Sequence, residues 1–316
     1  MKLLFLGLGF ISFSVAYELA SSHEITLTTR YFPPKHPVKR VYAEMLESKG
    51  VQIERLDVLN DREKLAELVS SSDAVVNFIG EIQGDEKALN LSNAEIPKRL
   101  VEVVEAVNPK AYFVHFSGAT LGQSGNFVKE EVPHGAGLNP KTAFERTKLE
   151  GEKAVMRSSL AKAIIRPTLV YGWAAVHPQF VLMYKLAKLG IKPGLGLRFM
   201  PVSTYYIAKL IERLVNGRPN AEYLYATECE ETSVEELIGI YCEALKKRCL
   251  RFPVPTTLAK AFLPSGVKDL LRYSGVKFSC DKMRGYVGEM RFRREDVLKN
   301  VEFLKGLESQ GKLVPE

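Results

Sequence analysis

Along the first half of the chain, short apolar runs alternate with longer stretches whose apolar residues recur at helical spacing. The runs predict strands at Lys2–Leu6, Glu24–Thr29, Val51–Leu56, Ala74–Phe78, Tyr112–Ser117 and Ala161–Arg166. Helical patterns fall between them, among them Phe13–Leu19, Arg62–Ser70, Asn93–Val107 and Thr142–Met156. Strands alternating with helices predict an α/β fold: a doubly wound parallel sheet with helices on both faces. Tyr31–Pro37, with three prolines, reads as a loop, and Gly118–Pro140, rich in Gly, Asn and Pro, as a long loop over the sheet's C-terminal edge. Ligands of open α/β sheets bind at that edge. After Gly172 the alternation stops. One further strand, Glu222–Ala226, is expected to return to the sheet, and the remainder reads as a smaller, mostly helical C-terminal cap.

The opening residues, MKLLFLGLGFIS, carry the most specific local pattern. A buried strand runs into Gly7, Leu8, Gly9, Phe10, Ile11 and Ser12, and a helix follows at once. Glycines there let backbone N–H groups approach a pyrophosphate, and the helix N-terminus adds partial positive charge. This marks Gly7, Gly9, Phe10 and Ile11 as candidate cofactor-binding positions in a Rossmann-like unit. The expected division is a dinucleotide-binding domain over 1–172, with 200–230 returning to it, and a substrate or cap domain over 173–199 and 231–316. A lysine followed by an apolar run also resembles a secretory signal. Gly7 and Gly9 break that run, and Tyr17 and Glu18 stand where a small-residue cleavage site belongs. Removing the segment would also strip the first strand from the pattern, so the cofactor reading is preferred.

Composition narrows the class. The chain has 316 residues, of which 46% are hydrophobic and 26% charged, which is ample for a large core. No apolar stretch reaches the length of a transmembrane helix. The net charge of +7 is spread out, with small clusters at Lys246-Lys247-Arg248 and at Arg291, Arg293 and Arg294. These read as solvated faces or as an attraction for anionic ligands. No nucleic-acid-binding module is recognisable. Cys229, Cys242, Cys249 and Cys280 lack metal-ligand spacing, so free thiols and a cytoplasmic location are expected, with no metal site.

The strand ends carry further candidates. Arg30 closes the second strand about twenty residues beyond the glycine turn, where an acidic residue usually holds the ribose of NAD. Arg30, followed by Lys35, Lys39 and Arg40, suits the 2′-phosphate of NADP instead, with NAD as the alternative cofactor. Asp57 and Val58 end the third strand near an expected adenine, and Asn77 and Gly80 end the fourth where backbone passes close to a cofactor.

Together these pieces resemble the extended short-chain dehydrogenase/reductase family, the NAD(P)-dependent epimerase/dehydratases. The resemblance runs from Met1 to about Thr204, with a weaker echo at Phe278–Phe292. It rests on GLGFIS, Asp57-Val58, VVNFIG, SGATLG (Ser117 to Gly122), NPKTAFERTKLEGE (Asn139 to Glu152) and IIRPTLVYG (Ile164 to Gly172). It implies a catalytic serine at Ser117 and a YxxxK pair on the following helix, whose lysine is Lys148. That pair's tyrosine is Phe144 here, and a phenyl ring has no proton to give. Losing a positioned general acid costs on the order of a hundred- to ten-thousand-fold in rate.

Other departures bear on substrate. The usual earlier glycine of the phosphate loop is missing, and Ser12 replaces its last one. Leu169 replaces an asparagine common in nucleotide-sugar enzymes, and Ser203-Thr204 stand where those often carry aspartates. A sugar-nucleotide substrate is therefore disfavoured, although Arg198 could still meet a diphosphate. The pattern is similar to atypical members of the type of the nucleotide-binding accessory subunit of respiratory complex I, which hold NADPH structurally. Two readings follow. One is an NADP(H)-binding protein with weak or absent tyrosine-based catalysis. The other is an active oxidoreductase or epimerase whose proton comes from a substitute such as Tyr171, His134, Thr120 or Thr142. The substrate, a homodimer and a protein partner are left open.

Overall fold

A computed structural model of the chain describes residues 1–129, 137–254 and 271–316. Seven parallel strands form the central sheet: β1 (Lys2–Leu6), β2 (Glu24–Thr29), β3 (Gln52–Arg55), β4 (Ala74–Asn77), β5 (Tyr112–Phe116), β6 (Lys162–Pro167) and β7 (Glu222–Ala226). Their order is β7-β6-β5-β4-β1-β2-β3. β1 is central, pairing Leu6 with Thr28 of β2 on one side and with Asn77 of β4 on the other. Because helices cover both faces, β4 and β5 are buried at every position and read as continuous apolar runs, not as alternating ones. The chain reverses direction across the sheet between β1 and β4, and the strand ends there open a crevice.

Helices α1 (Phe10–Leu19), α2 (Pro37–Glu47) and α8 (Thr204–Gly217) cover one face. Their Phe13, Tyr42 and Ile211 share a core with Leu3 and Phe5 of β1. Helices α3 (Arg62–Ser70), α5 (Ile96–Val107) and α6 (Ala143–Arg157) cover the other face, where Leu65, Val104 and Val155 meet Leu4 and Leu6. A short helix α4 (Glu86–Asn90) reaches α5 through a π turn at Leu91–Glu95. The helical periodicity from Asn93 onward therefore begins inside a bulge. The remaining α-helices among the described residues are α7 (Pro178–Lys188), α9 (Val234–Ala244), α10 (Asp281–Val287) and α11 (Arg294–Ser309). Val301, Leu304 and Leu307 of α11 join the core of the α1 face, so the end of the chain packs back beside its beginning.

The cysteines correct an expectation. Cys229 is paired with Cys280, and Cys242 with Cys249, with Cα separations of 5.4 and 6.1 Å. Sequence spacing hid both pairs. One joins the loop after β7 to the start of α10 across 51 residues, and the other staples the end of α9. The argument for a cytoplasmic location from free thiols falls with them. Among the described residues no helix is long and apolar enough to cross a membrane.

Candidate functional site

The crevice is built around the start of α1. Gly7 takes φ +95°, and a Cβ on it would stand 2.8 Å from Ile79 Cγ1, so only glycine fits between β1 and the end of β4. Gly9 caps α1: its N–H donates to Ser12 Oγ at 2.9 Å, and that hydroxyl donates back to the Gly9 carbonyl at 3.0 Å. The serine replacing a glycine thus serves as a local brace. It also lets the helix begin at Phe10, three residues before the apolar periodicity does. The first turn of α1 contains no acidic residue. The carboxylate of Glu316 lies against Gly9, beside the Phe10 N–H.

At the end of β2, Arg30 Nε pairs with Asp57 Oδ2 at 3.1 Å, which joins two of the expected positions. Asp57 is partly buried, which would raise its pKa, but hydrogen bonds from Asn60 and Leu59 and the Arg30 charge hold it below the usual range. Arg30 stays exposed and lies 5.9 Å from the Tyr31 ring, over which Lys35 Nζ sits at 3.8 Å. Arg30, Tyr31 and Lys35 therefore form one cationic corner, a grouping whose aromatic member the sequence reading missed. Val58 packs into the core with Leu4 and Leu65 and offers no polar group.

At the end of β4, Asn77 is fully buried. Its Oδ1 accepts from the Ile79 N–H at 3.0 Å, and its amide lies 3.1 Å from His115 Nδ1. It shapes the turn instead of facing the crevice. Gly80 lies directly against the Lys148 ammonium and Asn93 Oδ1, so any side chain there would collide with them. Asn93, on the π turn, receives the Glu81 N–H at 2.9 Å and donates to Thr147 Oγ1 at 3.2 Å. Gly151 lets α6 press onto the backbone of Asn93. The bulge thereby ties the loop after β4 to the helix that carries Lys148, a role with no signal in hydropathy.

Helix α6 sets the remaining groups. Thr142 caps it, accepting from the Glu145 N–H at 3.2 Å, while Glu145 accepts from Thr142 and Lys141 and bonds the hydroxyl of Tyr273. Tyr273 also accepts from the Gly122 N–H at 3.0 Å, which holds the loop after β5 in place. Lys148 is buried and points at the Phe116 carbonyl, 3.4 Å away. Burial brings its pKa down to about 8 against the pull of Glu152 and Glu81. Ser117 is buried, and its Oγ has no hydrogen-bond partner among the described residues. Phe144 is half-buried, and its ring tip approaches Gly118, the next residue after Ser117. Lys148, Ser117, Phe144 and Gly80 therefore meet at one place. The helix is locked by a buried bidentate pair in which Arg166 Nε and Nη2 donate to Glu152 at 2.9 and 2.6 Å.

The substitute acids fare differently. Tyr171 is buried with its hydroxyl donated to Glu228 Oε1 at 2.9 Å and accepting from the Arg293 N–H at 2.7 Å. Burial, with the Glu228 charge, drives its pKa far above the phenol range. Glu228 is itself pushed up to about 7 by burial. Thr142 is committed to capping, and His134 lies outside the described residues. Arg198 is half-exposed on the strand Arg198–Phe199, 3.6 Å from Glu231, and is not brought to Lys148 by any of its polar contacts.

The family model for NAD dependent epimerase/dehydratases matches residues 7–192. A comparison with curated proteins finds no match. Among solved structures the chain is similar to UDP-glucuronic acid 4-epimerase from Bacillus cereus in complex with NAD. The identity is 17% and the TM-score 0.77, over 97% of this chain and 97% of that one. A tyrosine-to-phenylalanine mutant of the Bacillus cereus enzyme, in complex with UDP-4-deoxy-4-fluoro-glucuronic acid and NAD, is similar at 16% identity and TM-score 0.74. That match covers 97% of this chain and 100% of the other. The dTDP-glucose 4,6-dehydratase of Bacillus anthracis in complex with NAD gives 17% identity and TM-score 0.74, over 99% of this chain and 100% of that one. At these identities the likeness carries the fold.

Proposed function

The chain belongs to the NAD dependent epimerase/dehydratase family, and from that premise we propose that it binds NADP(H) in preference to NAD(H) and catalyses hydride transfer weakly or not at all. Gly7, Gly9 and the N-terminus of α1 would receive the pyrophosphate, since bare glycines let an anion approach the backbone and the helix N-terminus carries partial positive charge. Arg30 and Lys35 would receive a 2′-phosphate, and Lys148 a nicotinamide ribose. The bound nicotinamide supplies hydride chemistry.

What the described residues beside Lys148 do not offer is the proton. The observation that carries the reading is Phe144, whose ring fills the position one turn before Lys148 and beside Ser117. Lys148 can hold a ribose and place a positive charge, but it faces a carbonyl and not a phenol. Ser117, whose hydroxyl has no partner among the described residues, would meet a substrate oxygen. Tyr171 does not offer the missing proton, because that proton is already shared with Glu228. That a phenylalanine mutant of a related epimerase was solved with NAD supports dinucleotide binding without the tyrosine.

Native mass spectrometry of the purified protein, followed by titration with NADPH and NADH, tests the reading. A co-purifying or titrating dinucleotide with NADPH the tighter ligand is expected. Absence of binding to either would overturn it.

A further inference from the structure

The start of α1 already has an anion on it, and that anion comes from the chain itself. A Cβ built on Gly9 would stand 3.1 Å from Glu316 Oε1, so the carboxylate lies on the bare face of that glycine. It sits beside the Phe10 N–H, and Lys39 Nζ stands 3.3 Å from Oε1. The segment before it is pinned to the crevice wall. The Glu316 N–H donates to the Val176 carbonyl at 3.1 Å, and His36 Nε2 lies 3.2 Å from the Pro315 carbonyl. The carboxylate side chain is only 11% exposed. Its second oxygen, Oε2, is buried with no hydrogen-bond partner among the described residues.

This is a half-satisfied arrangement. A helix N-terminus without an acidic residue of its own gains from a borrowed carboxylate. A carboxylate with one orphaned oxygen still pays part of its desolvation cost. Two phosphates would use the same N–H group and the same lysine with more charge and more acceptors.

We propose that Glu316 is a built-in competitor for the pyrophosphate position at α1, so that a dinucleotide binds by displacing the Val314–Glu316 segment. The inference rests on the reading of Gly7, Gly9 and α1 as the pyrophosphate site. The site is then partly closed to weak anions, and cofactor affinity depends on how firmly Lys39, His36 and Val176 hold the segment. An affinity measured on the unmodified chain is reduced by the fraction of molecules in which the segment is docked.

The test compares the unmodified protein with Glu316→Ala and Glu316→Gln by isothermal titration with NADPH, NADH and inorganic pyrophosphate, alongside the melting temperature of each protein without ligand. A competitor predicts opposite signs: Glu316→Ala melts lower without ligand yet binds dinucleotide and pyrophosphate about tenfold tighter or more, with Glu316→Gln between. In the unmodified protein, hydrogen exchange at the Val314 and Glu316 amides should accelerate when NADPH is added. Equal affinities in all three proteins, or weaker binding in Glu316→Ala, would overturn the competition and leave the dinucleotide reading standing. Failure of all three proteins to bind any of the ligands would overturn the dinucleotide reading and this inference with it.

Discussion

The Phe144 ring ends 3.2 Å from the point where a Cβ on Gly118 would stand. The carbon that would carry a tyrosine hydroxyl therefore faces a residue with no side chain, immediately after Ser117. Phe144→Tyr extends toward Gly118, next to Ser117, whose hydroxyl has no partner among the described residues. Turnover of simple carbonyl substrates with NADPH should rise by about a hundredfold or more, the contribution of a positioned general acid. Adding Gly118→Ala should abolish the gain, because the methyl occupies the same space. A steady-state NADPH oxidation assay over a carbonyl panel reads both. Fast turnover by the unmodified protein that survives Phe144→Ala would show another proton donor at work.

Arg30 is shared between Asp57 and solvent, and this bears on cofactor choice. Arg30→Ala should weaken NADPH binding by about ten- to a hundredfold, the worth of charge-assisted hydrogen bonds, and leave NADH nearly unchanged. Lys35→Ala should reproduce part of the loss, since its ammonium sits over the same Tyr31 ring. Fluorescence titration with both cofactors checks this. Identical NADPH and NADH curves for the unmodified protein would remove the basis for the preference.

The Arg166–Glu152 pair holds α6 against β6 with both side chains out of solvent. Replacing Arg166 by Met leaves a buried, unpaired carboxylate and should cost about 3–5 kcal/mol in urea unfolding. Arg166→Met combined with Glu152→Leu should recover most of that loss, because the expense lies in the orphaned charge. The Tyr223 ring, 4.8 Å from the guanidinium, remains to pack against the new side chain.

Much of this fold is written in hydropathy. Both β1 and β2 carry runs whose ends coincide with the observed strands, since a parallel strand buried on two faces leaves little polar ambiguity. The glycine turn was legible for a related reason: Gly7 must be glycine for the backbone to pass Ile79. Contacts between distant segments were not legible. Asn93 looks like an ordinary helix residue until the π turn sets it against Glu81 and Thr147. Tyr273 reaches Glu145 across 128 positions, and Cys229 meets Cys280 across 51. Tyr171 looked available because a strand end faces the crevice, yet its hydroxyl turns to Glu228.

Stability should depend on pH through several buried groups, and Glu228, raised to about 7 by burial, works against the histidines by gaining stability as pH falls below 7. His115 is held down to about 3, first by burial and then by the nearby Lys148 charge. His177 is held down to about 4 by burial and Lys39. In the unfolded chain both titrate near 6.5. As pH falls below that value the unfolded chain takes up protons that the folded chain refuses, so stability present at neutral pH is lost on the way to those lower values. By pH 5 the fully buried His115 alone removes about 2 kcal/mol, and His177 adds a loss of about the same size and sign. Lys148 acts at the other end. Its folded value of about 8 lies below the unfolded value near 10.4, so between the two the unfolded chain again binds more protons. Stability should climb as pH rises from 8 toward 10, as the cost of burying the charge disappears. Melting temperatures measured from pH 4 to 10 should carry a histidine term that falls on the acid side, offset in part by Glu228, and a rising term on the basic side. His115→Gln should flatten the first and Lys148→Met the second. A basic-side rise unchanged in Lys148→Met would mean that the ammonium is solvated and not buried against Gly80 and the Phe116 carbonyl.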